Sequence, residues 1–203
     1  PALALPTQVE AEYQISTGGM TIGRVHETYV RKGDAYRIES TTRAEGILKL
    51  FRDETVVLAS EGRVGPRGLE PLRFEQRRRG AASRDISATF DWEKAQLRSS
   101  YRGENSVHAL PAGTQDRLSV MYQFMNLAGA AERVRLPMSN GRKVDQYTYR
   151  KVDEPRLATP AGEFATAHYE RVTEDEKENR AELWLARDRF NLPVRVVFED
   201  NRG

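Results

Sequence analysis

The chain has 203 residues, with 32 Lys and Arg against 30 Asp and Glu, 38% hydrophobic residues and no cysteine. That length suits one domain with a core able to bury roughly 70% of the unfolded surface. No run of about 18 apolar residues occurs, which excludes a transmembrane helix within the chain. The lack of cysteine excludes disulfides, thiolate nucleophiles and cysteine-held zinc or iron–sulfur centres. The net charge is only +2 although the pI is about 9.0, because 26 of the 32 basic residues are Arg. These arginines are spread along the chain among Glu and Asp. They make a mixed-sign surface, not the basic stripe of a nucleic-acid binder, and no nucleic-acid partner is expected.

Residues 1–8 read as an extended N-terminal segment, and Pro1-Ala2-Leu3-Ala4-Leu5-Pro6 is too short, and lacks the basic flank, for a signal peptide. From there the dominant period is two. Tyr36, Ile38, Ser40 and Thr42 alternate with Arg37, Glu39, Thr41 and Arg43. Ile86, Ala88, Phe90 and Trp92 alternate with Asp85, Ser87, Thr89 and Asp91. Such alternation predicts half-buried antiparallel strands. Strands are expected near 9–16, 22–31, 34–43, 55–61, 71–79, 84–92, 95–101, 104–109, 131–137, 143–151, 163–173, 180–187 and 193–200. Turn signals separate them, among them Gly18-Gly19, Pro66-Arg67-Gly68 and Asn140-Gly141, the last carrying the strongest type I′ hairpin signal. Many short strands without helical crossovers predict a single domain, mainly β, over residues 1–203. Its expected form is a strongly curved antiparallel meander, an open or incomplete barrel.

One segment has a different period. Leu118, Met121, Tyr122, Met125 and Ala128 follow helical spacing over about 116–128, with Asp116 placed to cap the helix and Gly129 to end it. Phe124 and Leu127 widen its apolar surface, so the sheet is expected to wrap around it. A second short helical or irregular stretch is expected at 45–51.

Chemical motifs are sparse. His26, His108 and His168 fall on three different strands, and none has a second His at i+2 or i+4, so no metal site and no cofactor are expected. There is no Gly-x-Ser-x-Gly elbow, no P-loop and no Gly-x-Gly-x-x-Gly, and catalysis is not expected. The run Arg77-Arg78-Arg79 alternates faces on a strand and forms no continuous patch, with Arg78 pointing inward. Two strands carry mixed polarity on one face: Val144, Gln146 and Thr148, and Phe164, Thr166 and His168. Polar groups among apolar ones either line a cavity or mark a shifted register or an exposed strand end.

Several short stretches, taken in order, resemble the bacterial DUF3108 family. They are Gly68-Leu69-Glu70-Pro71, Phe90-Asp91-Trp92, Gly113-Thr114-Gln115-Asp116-Arg117-Leu118-Ser119, Thr159-Pro160-Ala161-Gly162-Glu163-Phe164, and Leu183-Trp184-Leu185-Ala186 followed by Leu192-Pro193-Val194-Arg195. The resemblance implies an exported, periplasmic protein of Gram-negative bacteria, its targeting segment absent from this sequence. The ending is also similar to periplasmic lipoprotein carriers, which fold as an unclosed curved sheet around a helix and hold acyl chains in the concave side. That likeness implies a non-enzymatic cell-envelope module binding a lipid or other amphiphile. The residues expected to line the concavity are Tyr36, Phe74, Phe90, Trp92, Tyr122, Met125, Phe164 and Trp184. The alternative is an envelope scaffold with a packed core and a protein partner.

Overall fold

The computed structural model describes residues 5–46, 55–126, 131–173, 175 and 178–199. Eight strands come first: β1 (Gln8–Thr17), β2 (Met20–Lys32), β3 (Ala35–Ala44), β4 (Thr55–Gly65), β5 (Gly68–Arg78), β6 (Ile86–Asp91), β7 (Gln96–Tyr101) and β8 (Glu104–Ala109). They pair antiparallel in chain order, a pure meander. The period-two pattern sets which side is dry. Tyr36, Ile38 and Ser40 of β3 are buried while Arg37 and Glu39 are exposed, and Ile86, Ala88 and Phe90 of β6 alternate with exposed Ser87 and Thr89.

The register contains one bulge that the sequence pattern hides. Glu61 of β4 faces Arg73 of β5, and Gly62 faces Pro71, so Leu72 is skipped. Pro71 and Phe74 therefore both turn inward, followed by Gln76 and the half-buried Arg78 at the strand end. Gly62 is required at this point, because a Cβ would lie 2.2 Å from the Glu70 carbonyl oxygen and 2.7 Å from the Tyr36 ring.

The second sheet uses β9 (Arg133–Ser139), β10 (Val144–Asp153), β12 (Gly162–Arg171), β13 (Arg180–Ala186) and β14 (Leu192–Glu199) in the order β14-β13-β12-β10-β9. β11 (Arg156–Thr159), which the sequence pattern does not announce, pairs with β12 alone. The expected type I′ turn at Asn140-Gly141 is replaced by a four-residue loop. Only Gly141 there has positive φ, at 85°, and the Asn140 side chain accepts the N–H groups of Arg142 and Lys143. The reason lies in packing. A Cβ on Gly141 would sit 2.6 Å from Ile86 and 3.1 Å from Phe74, so this loop is seated against the core of the first sheet. Two-residue turns with both residues at positive φ occur instead at Gly18-Gly19 and Arg102-Gly103.

The helix lies between the sheets. It is shorter than the expected 116–128: α1 (Ser119–Gln123) passes into a 3₁₀ turn at Phe124–Asn126, and the stop expected at Gly129 lies outside the described residues, as do positions 47–51 of the second stretch. Leu118, Tyr122 and Met125 join the cluster of Tyr29, Ile38, Phe74, Phe90 and Leu97 in the first sheet. Val120 and Phe124 join Val134, Leu136, Tyr149, Leu183 and Leu185 in the second, and Met121 touches both clusters. A segment apolar around its circumference thus fills the space between two dry faces, each fully buried large side chain contributing about 1.5–3 kcal/mol. The architecture is an open, barrel-like antiparallel β structure around one short helix.

Candidate functional site

The helix start holds the densest buried chemistry. Asp116 is fully buried. Its Oδ1 accepts the N–H groups of Leu118 and Ser119 at 2.8 Å each, and its own N–H donates to Ser119 Oγ at 2.9 Å. The Asp-x-x-Ser spacing therefore forms a reciprocal cap on the first turn, as the sequence suggests for Asp116. The other oxygen, Oδ2, accepts the Ser60 hydroxyl at 2.5 Å, and the Tyr36 hydroxyl donates in turn to Ser60 at 3.3 Å. Burial pushes the Asp116 carboxyl up to about 6, with these hydrogen bonds acting in the opposite direction.

Two glutamines fix the helix to the β4–β5 turn. Gln123 accepts the Leu69 N–H at 2.7 Å and donates to the Arg67 carbonyl at 2.8 Å, while Gln115 donates to the Leu69 carbonyl at 2.8 Å. Gly68 at φ 98° leaves room for the Gln123 and Asn126 amides, both of which a Cβ there would overlap. The stretches Gly68–Pro71 and Gly113–Ser119 thus meet in one clamp.

A second buried carboxylate lies on β2. Glu27 accepts the Tyr122 hydroxyl at 2.9 Å and stands opposite Ser40 on β3; burial raises its carboxyl, and hydrogen bonds from Tyr122 and Ser40 partly offset this. Burial likewise raises the Tyr122 hydroxyl, helped by the Glu27 charge. Both carboxylates serve the packing of the helix, and their hydrogen bonds go to protein groups. The interior around them is filled: the Tyr29 and Tyr122 rings stack at 4.9 Å, and Tyr29 also stacks with Tyr36 at 6.4 Å.

Of the eight residues expected to line a concavity, Tyr36, Phe74, Phe90, Tyr122 and Met125 are buried together in the first cluster, and Trp92 packs against it with its indole N–H on the Pro71 carbonyl at 2.7 Å. Phe164 and Trp184 are not brought there. Phe164 faces Leu157 of β11. Trp184 lies on the outer face of β13, because Ala181, Leu183 and Leu185 take the inner positions. Two surface depressions among the described residues are lined by none of the eight. One of about 450 Å³ is bordered by Glu75, Arg77, Ser83, Asp85, Ser100 and Arg102. The other, about 260 Å³, lies over Glu12, Arg24, His26 and Arg43.

Apart from Val144, which packs against the first cluster, the mixed-polarity faces also turn away from the interior. Tyr147 and Tyr149 take the inner side of β10, leaving Gln146 exposed and Thr148 half-exposed on the outer side. On β12 the inner side belongs to Ala167 and Tyr169. Thr166 and His168 are nevertheless buried, because the chain around β11 folds back over them: Thr166 donates to the Pro155 carbonyl at 2.8 Å. His168 stands between two carboxylates, Nδ1 at 3.0 Å from Asp153 Oδ1 and Nε2 at 2.9 Å from Glu182 Oε2, and stacks on Trp184 at 4.2 Å. Arg195 covers the Trp184 ring at 4.8 Å. His168, Glu170 and Glu182 form a group whose ligand atoms lie within 4.8 Å of one another. A search for paired histidines misses it. The legible signal is His168-x-Glu170, two ligand types on one strand face.

Residues 12–203 match the family described as protein of unknown function (DUF3108). The chain belongs to that family. Both parts of the helix clamp lie inside the matched region, as does the His168 cluster. No curated protein sequence matches this DUF3108 chain significantly. Among solved structures it is similar to the crystal structure of a β-barrel-like protein of domain of unknown function DUF1849 from Brucella abortus. The TM-score is 0.53 at 12% identity, covering 97% of this chain and 89% of the other. At that identity the likeness concerns the fold, an open β-barrel-like one. Among the described residues no helix is long and apolar enough to cross a membrane.

Proposed function

We propose that this DUF3108 chain is a non-enzymatic module of the bacterial cell envelope, acting in the periplasm as a scaffold with a protein partner. The observation that carries the reading is the filled interior. Tyr122 and Phe124, 2% and 1% exposed, occupy the space between the sheets that a carrier would leave for an acyl chain. Ligand sites for small molecules are typically cavities of about 300–1,000 Å³ with apolar walls, whereas the larger of these two depressions is open, with Glu75, Arg77, Asp85 and Arg102 on its edge. What remains for recognition is the outside. Strands β8 and β14 end their sheets and carry exposed Val107 and Phe198, 60% and 70% accessible, on edges suited to strand addition by a partner chain. The periplasmic setting rests on the resemblance of the sequence motifs.

The test uses the chain directed to the periplasm of a Gram-negative host by an added signal peptide. Photo-crosslinking groups at positions 107 and 198 are expected to capture a discrete envelope protein, with capture lost when a charge is placed beside the crosslinker. Native mass spectrometry of the same preparation is expected to give the mass of the bare chain. A lipid recovered in near-stoichiometric amount would overturn the scaffold reading in favour of an amphiphile carrier.

A further inference from the structure

We propose that His168, Glu182 and Glu170 bind a divalent transition-metal ion of the zinc class on the outer face of the second sheet, with Asp153 orienting the imidazole from behind. The placement follows from the register. On β12 and β13, Glu170 stands directly opposite Glu182, and His168 directly opposite Trp184; across β10, Asp153 pairs with His168. Three carboxylates therefore converge on one imidazole. Like charges directly opposite each other on adjacent strands destabilise a sheet unless something positive lies between them. Arg150 reaches Glu170 at 3.6 Å, and Arg195 is engaged over the Trp184 ring. Among the described residues, what stands between Glu182 and Asp153 is the imidazole.

The imidazole itself points to a cation. Its Nδ1 stands 3.0 Å from Asp153 and its Nε2 2.9 Å from Glu182; a neutral imidazole has one N–H, so with Nδ1–H given to Asp153 the Nε2 lone pair is aimed at Glu182. A lone pair facing a carboxylate is repulsive unless a proton or a metal ion lies on that line. The carboxylate–histidine–metal relay is the usual way a ligating histidine is held. Zinc bonds of about 2.0–2.2 Å to nitrogen and oxygen at a tetrahedral angle put the two ligand atoms roughly 3.3 Å apart. Glu182 thus needs to open by a few tenths of an ångström, and Glu170, half-exposed on its flexible stem, swings in from Arg150. His168 is 8% exposed and fixed by its stack on Trp184, so one ligand is already oriented while the two glutamates reach solvent. Two carboxylates and one imidazole leave a fourth position for water, and such mixed nitrogen and oxygen donors suit zinc-class ions better than calcium.

Trp184 supplies the readout. The tag-free full chain, stripped with chelator, is titrated with Zn²⁺ by calorimetry and with Ni²⁺ by tryptophan emission in a Trp92→Phe background. One Zn²⁺ per chain is expected at neutral pH, with quenching of the Trp184 emission by Ni²⁺ and release of both on acidification, as protons compete for imidazole. Glu182→Gln and His168→Gln are expected to weaken binding at least tenfold, and Asp153→Asn by about 10–100-fold. Metal-free melting curves of Glu182→Gln and Glu170→Gln, both on the outer face, establish that the fold persists. A zinc affinity unchanged by Glu182→Gln and His168→Gln, or no binding at millimolar zinc, would overturn the proposal.

Discussion

The two sheets handle polarity in opposite ways. The first buries it: Glu27, Ser40, Ser60, Gln76 and Ser99 lie among its core residues, and Asp116 reaches them from the helix start. The second keeps its inner face to Val134, Leu136, Tyr149, Ala167, Tyr169, Leu183 and Leu185 and carries its titratable cluster outside. The cause is where backbone donors become available. A helix start leaves N–H groups without intrahelical partners, and Asp116, bonded to Ser60 of the first sheet, accepts two of them, so a buried carboxylate there is solvated by the fold. The inner face of the second sheet meets Val120 and Phe124 on the side of the helix, where no free donor exists.

The largest effect should come from removing the helix side chain that fills the second sheet. Phe124→Ala is expected to cost about 3–5 kcal/mol, seen as a large drop in Tm, because its site cannot collapse around the truncated side chain. Phe74→Ala tests the same quantity in the first sheet. A much smaller loss there would mean that the polar core of that sheet relaxes more easily.

The pH response separates the two regions next. Asp116, raised from 3.8 to about 6, keeps its proton in the native state where the unfolded chain has released it. The native protein thus gains stability as pH falls from 6 towards 4, by about 3 kcal/mol over the window, and the gain is absent above 6. Glu27, also raised, acts in the same direction. Urea midpoints at pH 7 and pH 4.5 measure this, and Asp116→Asn, which mimics the protonated acid, should remove most of the difference. An unchanged difference in that variant would place the effect elsewhere.

A smaller effect is expected where the sheets touch. Gly141→Ala should lose about 1–3 kcal/mol through backbone strain at positive φ, with added overlap against Ile86 and Phe74. Gly18→Ala, at φ 54° with open space around it, isolates the strain term. Least costly is the outer face: Trp184→Leu should lose about 1 kcal/mol, the worth of a stacked ring pair. It should also abolish the tryptophan signal of the His168 cluster.

Much of the architecture was legible in the chain. Alternation at 36–43 and 85–92 located β3 and β6, Gly18-Gly19 located a true two-residue turn, and Asp116 announced its cap, because these features depend on neighbours within a few residues. The helix was legible in kind but not in length. Its apolar spacing runs on past Asn126, while the hydrogen bonding tightens into a 3₁₀ turn at Phe124.

What the sequence by itself determined is every strand except β11, the dry and wet sides of the first sheet, the enclosed helix and the family. Only the tertiary structure decided which side of β10 and β12 is inner, because both sides carry aromatic or aliphatic residues and a period of two names two faces without ranking them. It also decided that the chain around β11 folds back over Thr166 and His168, and that Asp153, Glu170 and Glu182 meet one imidazole. Those contacts join strands by register, and register is set by the packing of whole faces, not by the residues that the register brings together.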